Sequence, residues 1–216
     1  MTHRHLLIVL LACTSTTACS SPAGDAPKAK VEDVKTETKT DAKADAKADA
    51  KADAQPAALS RLSLDAASSS VEFVGAKVTA SHDGSFEKIE GTATLDGDVP
   101  KAVEVTVHVD SLKAEPEKLA AHLLSDDFFA AEKFPTATFR STRIEPKPTP
   151  EGTHEVTGEL TIRGTTKQVT FPARIEVSPS AVRGTAKFSI DRKDFGIVYP
   201  GMKDDLIKDE VLLDLN

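Results

Sequence analysis

From about Leu59 to the end of the chain, apolar residues recur at every second position in short runs, and that period decides the fold class. Val103-Glu-Val105-Thr-Val107-His-Val109 alternates throughout, as a strand with one buried and one wet face must. Shorter runs of the same kind follow: Val71-Glu-Phe73, Thr92-Ala-Thr94-Leu95, Glu159-Leu160-Thr-Ile162, Val169-Thr-Phe171, Ile175-Glu-Val177, Lys187-Phe188-Ser-Ile190 and Val211-Leu-Leu213-Asp-Leu215. Turn residues separate them at Asp96-Gly97-Asp98, Glu151-Gly152, Arg163-Gly164, Ser178-Pro179 and Pro200-Gly201. About eight strands at this spacing predict an all-β domain over 59–216, an antiparallel sandwich or barrel. One segment breaks the period. Glu115 to Leu124 places Leu119, Leu123 and Leu124 on one side of a helix, so a short helical crossover interrupts the strands.

The residues before Leu59 have another composition. Residues 1–18 read as an export signal: Arg4 precedes Leu6-Leu7-Ile8-Val9-Leu10-Leu11-Ala12, an apolar run too short to span a bilayer stably. Thr16-Thr17-Ala18 then leads into Cys19, which resembles the lipobox of bacterial lipoproteins and makes Cys19 the expected lipidation site. Cys13, after Leu10-Leu11-Ala12, is the rival site, and cleavage near Ala18 without lipid is the plainer alternative. Ser20 and Ser21 follow in place of Asp, which by analogy directs such a protein to the outer membrane. Both cysteines of the chain lie here, so the domain has no disulfide, thiolate metal site or cysteine nucleophile. Residues 19–58 are read as the lipidated cysteine and a disordered Ala/Lys/Asp-rich tether, centred on the repeat from Asp41-Ala-Lys-Ala to Asp53-Ala54. Like charges recur there at i,i+4, which disfavours helix. A coil of about 39 residues has a root-mean-square span of roughly 35 Å, enough for a membrane leash.

Few residues in the domain suit catalysis. His82-Asp83-Gly84 could seat an acid–base histidine, although Asp-Gly is first a turn signal. His82, His108, His122 and His154 show no metal-ligand spacing, and no nucleophile elbow, P-loop or dinucleotide fingerprint occurs. Residues 59–216 carry a net charge of −7, which argues against nucleic acid.

The segment "HLLSDDFFAAEKFPTATFRST" (122–142) is the most distinctive in the chain. It resembles the YceI-like family, in which a helical crossover ends in a Leu-Asp-Phe cluster and passes through Phe-Pro into a strand. The resemblance begins at "VEFVGAKVTASHDGSFEKIEGTATLDG" (71–97) and continues through "VTGELTIRGTTKQVTFPARI" (156–175) and "GTAKFSIDRKDFGIVYPGMKDDLIKDEVLLDL" (184–215). It implies an exported, elongated, lipocalin-like antiparallel barrel whose apolar tunnel binds a polyisoprenoid chain, with quinones or polyprenyl phosphates as the ligand class. The implied partners are that lipid and, through the N-terminal anchor, a membrane of the cell envelope; a homodimer is also open, and no cofactor is required. Many members carry a histidine where this chain has Lys77, with His82 following.

All nine phenylalanines lie in the domain, which has no tryptophan and one tyrosine, Tyr199. Few walls therefore carry hydrogen-bonding obligations. Phe73, Phe139 and Phe188 sit mid-strand in phase with apolar neighbours, as do Leu160 and Ile162, and are expected to line the tunnel. Of Phe128 and Phe129 one should face inward if the segment is extended, and Phe128 is assigned that role. Phe134-Pro135 should fix the exit of the crossover, with Asp126 and Asp127 bracing the turn. Lys77 is read as the freer cation for an anionic head group. Arg192, between Asp191 and Asp194, either contacts that group or forms a structural ion pair. Two further readings stay open: an interaction module with its barrel filled by side chains, and an enzyme acting on such a lipid through His82 or Asp191.

Overall fold

The computed structural model describes residues 22–34, 59–178 and 181–216. The expected signal, Cys13, Cys19 and the Asp-Ala-Lys-Ala repeat lie outside the described residues. The described chain forms β1 (Lys30–Asp33), β2 (Leu59–Ser63), β3 (Val71–Ala76), β4 (Ser81–Phe86), β5 (Ile89–Asp96), β6 (Val99–His108), β7 (Leu112–Ala114) and α1 (Glu117–Leu124). It continues with β8 (Thr136–Pro146), β9 (His154–Ile162), β10 (Thr165–Val177), β11 (Val182–Asp191), β12 (Gly201–Met202), β13 (Asp205–Leu206) and β14 (Glu210–Leu215).

Every ladder between named strands is antiparallel, and the main sheet runs β2-β5-β6-β8-β9-β10-β11-β14-β3-β4-β7. Apart from the edge strand β2, its two ends belong to one bent ribbon. β4 runs into β5 through Glu87-Lys88, and β6 reaches β7 through a single 3-10 turn at Val109–Ser111. The corner is pinned by Ser111, whose hydroxyl accepts from Lys88 N–H and donates to the His108 carbonyl. Since β5–β6 stand at one end of the order and β4–β7 at the other, the bend curls the sheet into a barrel wall. The all-β, lipocalin-like reading holds, with one helix where the leucine spacing placed it.

The β9–β10 hairpin shows how local chemistry sets register. Ile162 faces Thr165 across a two-residue turn, with Arg163 at φ 50° and Gly164 at φ 72°; both central residues are left-handed, as such a turn requires. A side chain at 164 would meet the Phe134 ring at 2.5 Å. Arg163 donates to the carbonyls of Gly196 and Asp126, tying the crossover exit to the segment after β11. Phe134 thus fixes that exit, as its Phe-Pro step implied.

Residues 22–34 correct the tether. Above Arg174 and Thr185, β10 and β11 pair directly over four residues each; below, they diverge, and β1 fills the slot. Lys30–Asp33 pairs with Lys167–Thr170 of β10. Ser189 of β11 donates to the Pro27 carbonyl and accepts from Ala29 N–H. Ala29 is buried in the core with Val169, Phe171 and Phe188, and Val31 packs against it. Lys30 and Glu32 pair outside. The repeat therefore joins two strands of one sheet, and residues 22–34 are part of the wall.

Asp83-Gly84, read first as a turn, lies instead within β4, paired to Phe73-Val74. A Cβ at 84 would stand 2.2 Å from the Phe73 ring, so glycine here makes room for an aromatic wall. Gly84→Ala is expected to lower stability by about 1–3 kcal/mol through overpacking, measured as a fall in the denaturant midpoint.

Candidate functional site

The inward faces of the strands enclose a cavity of about 970 Å³, at the upper end of small-molecule sites. Its lining reaches Ser70 and Val71 at one end of β3 and Ala76 and Lys77 at the other. Six strand residues span about 20 Å, so the cavity is long as well as large.

Its walls are the alternate residues that the period of two placed inside. Val103, Val105 and Val107 of β6 face Ala137 and Phe139 of β8, then Leu160 and Ile162 of β9. Phe139 lies 5.5 Å from Phe171, which stacks on Phe188 at 4.1 Å and 12°. These three rings make a continuous apolar strip along one side. Phe73 and Phe86, 5.8 Å apart, continue the lining on β3 and β4.

Phe73, Lys77, His82, Phe128, Phe139, Leu160, Ile162, Phe188 and Arg192 all border the cavity, but three stand otherwise than expected. Phe128 and Phe129 both reach it, because the segment is a turn and not an extended strand. Lys77 is not a free cation: its ammonium lies 2.6 Å from Asp205. Arg192 is 4% exposed; it donates to the carbonyls of Ile197, Lys208 and Ile207 and to Asp209 at 2.7, 3.1, 3.4 and 3.0 Å. Its carboxylate is Asp209, not Asp191 or Asp194, and Asp191 instead caps the next turn through Lys193 N–H. Arg192 braces the segments on either side of the β12–β13 hairpin, where they border the cavity.

Sequence reasoning missed two polar groups. His122 of α1 holds Asp127 at 3.0 Å and meets the rings of Phe128 and Tyr199 edge-on at 5.0 and 5.1 Å. His122 and Tyr199 line the cavity with Phe128. Leucines 119 and 123 hold α1 against this end through the cluster that includes Phe73, Ile197 and Ile207. His82, half-buried on β4 beside Gly75, also faces the cavity. Among the described residues no cluster of three or more metal-ligating side chains occurs, and no helix is long and apolar enough to cross a membrane.

Two aspartate–lysine pairs latch chain segments to the barrel. The Asp205 carboxyl is held below its ordinary value of 3.8, first by the hydrogen bond from Lys77 and then by Thr79. The Asp33 carboxyl is lowered by the hydrogen bond from Lys167, whose ammonium is raised in turn. A carboxylate with a depressed folded pKa contributes its stability above the unfolded value and loses it as pH falls through the folded one. Acidification below about pH 3.8 is therefore expected to loosen residues 201–206 and 30–33 ahead of the rest of the wall. Hydrogen exchange corrected for its intrinsic pH dependence measures this.

The model of the YceI-like domain matches residues 62–216. A UPF0312 protein of Pseudomonas putida (strain W619) is 35% identical over 126 residues, 55% of this chain and 65% of that protein. Protein YceI of Salmonella arizonae is 38% identical over 95 residues, 43% of this chain and 48% of its own length. The chain thus spans less than two thirds of the curated relatives it matches. Among solved structures, BcnA of Burkholderia cenocepacia superposes with a TM-score of 0.61 at 25% identity, covering 70% of this chain and 96% of that one. A polyisoprenoid-binding domain from Saccharophagus degradans gives 0.56 at 13% identity, covering 73% and 95%, a likeness of fold. A bent ribbon closing a β-sheet around an apolar hollow and a match over all but the first strands place this chain in the YceI-like domain family.

Proposed function

We propose that this domain carries or stores an isoprenoid lipid of the quinone or polyprenyl phosphate type within the cell envelope. The observation that carries the reading is the long cavity with aromatic and aliphatic walls, whose polar groups gather at its ends. A branched hydrocarbon tail against such walls gains about 0.8 kcal/mol per buried methylene, without needing a polar contact along its length. Lys77 with Asp205, His82, His122 and Tyr199 offer hydrogen bonds to a head group at one end. The protein's work is to lower the free energy of an oily chain in water; no bond is made or broken. The name of the Saccharophagus degradans neighbour supports the ligand class. The reading of residues 1–18 as an export signal and of Cys19 as a lipidation site supports the location: an outer-membrane anchor with the barrel in the periplasm.

Organic extraction of the purified protein followed by mass spectrometry tests this. About one isoprenoid per chain is the expected result. An empty cavity that takes up no added ubiquinone overturns it, as does chemical turnover of the added lipid. Ala137→Trp, combined with Ala93→Trp, puts two indoles into the hollow from the strands on either side of β6. Ligand content is expected to fall roughly tenfold or more, with little change in stability, because the rings fill a void.

A further inference from the structure

We infer that Asp205 sets the head-group specificity of the cavity: by cancelling the charge of Lys77, it fits this end to an uncharged head group and turns away a phosphate. The inference rests on the carrier reading and narrows its ligand class. Met202 and Asp205 pair across the β12–β13 hairpin at the cavity rim, and both belong to the lining. The Asp205 carboxylate holds Lys77 at 2.6 Å and accepts twice from Thr79, from its N–H at 3.2 Å and its hydroxyl at 3.0 Å. Its side chain is 18% exposed and that of Lys77 37%, so water screens the pair only in part.

The other charges of the lining leave little over for an anion. Arg192 is committed to three carbonyls and Asp209, and Lys208 is engaged as well. At the far end Arg183 is matched in formal charge by Asp65. The groups that stand free are His82 and the Tyr199 hydroxyl, which have no hydrogen-bond partner among the described residues and can both donate and accept. His82 shares the face of β4 that sets Gly84 and Phe86 against Phe73, so its ring points into the hollow. Its partner across the ladder is Gly75, where an added Cβ would meet no atom within 4 Å; a notch lies open beside the ring. Tyr199 stands at the same end, since Ile207 N–H donates to the Pro200 carbonyl and Ile207 is bridged to Lys77. A hydroxyl or carbonyl oxygen seated there finds a partner. A phosphate would give up its hydration to meet an ion pair already closed and an aspartate of its own sign, and such an unpaired, like charge is an effective means of rejection.

Geranylgeraniol and geranylgeranyl phosphate carry the same tail, so the ratio of their affinities for the full chain reads the head group. The alcohol is expected to bind roughly tenfold tighter or more. Asp205→Asn keeps an oxygen for Thr79 but leaves the Lys77 ammonium uncancelled. Affinity for the phosphate should then rise roughly tenfold and fall back with added salt, while the alcohol changes little. Lys77→Met together with Asp205→Asn should remove that gain. A wild-type chain that binds the phosphate as tightly as the alcohol overturns the inference. So does an Asp205→Asn chain in which both ligands shift alike or neither shifts, since the aspartate then only holds the hairpin; the carrier reading survives that result. Failure of all three proteins to bind either ligand defeats the carrier reading, and this inference with it.

Discussion

Arg192→Met is expected to lower the unfolding free energy by about 3–5 kcal/mol, the range for breaking a buried charged network. The guanidinium is 4% exposed and converges on three carbonyls and one carboxylate. Methionine replaces the apolar stem, so little of the loss comes from a cavity; what remains is the orphaned carbonyls of Ile197, Ile207 and Lys208. Asp209 keeps Lys193 at 2.8 Å and contributes less. Arg192→Lys should recover only part of the stability, because an ammonium cannot reproduce a planar fan of donors. The midpoint of urea unfolding for the two variants measures this. Full recovery by lysine would show that charge alone matters. The residues Arg192 braces lead into the rim hairpin, so Arg192→Met should also release bound lipid faster than a surface variant does.

Much of this architecture was legible in the chain because a half-buried strand writes its two environments into alternate positions. β6 is an instance. The same alternation made the cavity legible: residues that face inward in a hollow barrel are its walls, so Phe73, Phe139, Leu160, Ile162 and Phe188 were found as strand residues first. Failures occurred where a local signal had a distant cause. Gly84 looks like a turn residue, and the Phe73 ring that requires a glycine there comes from a neighbouring strand. Lys77 looks unpaired, and Asp205 arrives from a hairpin late in the chain. His122 and Tyr199 meet only because α1 folds over the cavity. β1 offers only Ala29 and Val31 as inward residues amid lysine and acid, too little for a period to emerge; the slot between β10 and β11 supplies the rest.

That slot supports the second large effect. Deleting residues 22–34 is expected to destabilise the barrel by about 3 kcal/mol and to speed ligand loss by roughly tenfold or more, since both apolar burial and strand pairing disappear. Without β1, the backbone of Lys167–Thr170 and the N–H and carbonyl of Ser189 lose their partners. Val169, fully buried, then faces water beside Phe171 and Phe188, the rings of the cavity wall. Ala29→Asp attacks the same contact differently, by placing a carboxylate among apolar neighbours. Its effect has a ceiling: once the penalty exceeds the docking free energy of β1, the strand leaves the slot and the charge returns to water. The two variants should therefore lose nearly equal stability, whereas Lys30→Ala on the outer face should change it by no more than about 0.5 kcal/mol. Denaturant midpoints and the release rate of bound ubiquinone read the comparison. A loss from Ala29→Asp well beyond that of the deletion would mean that β1 cannot detach, and that the slot is a permanent seam of the wall.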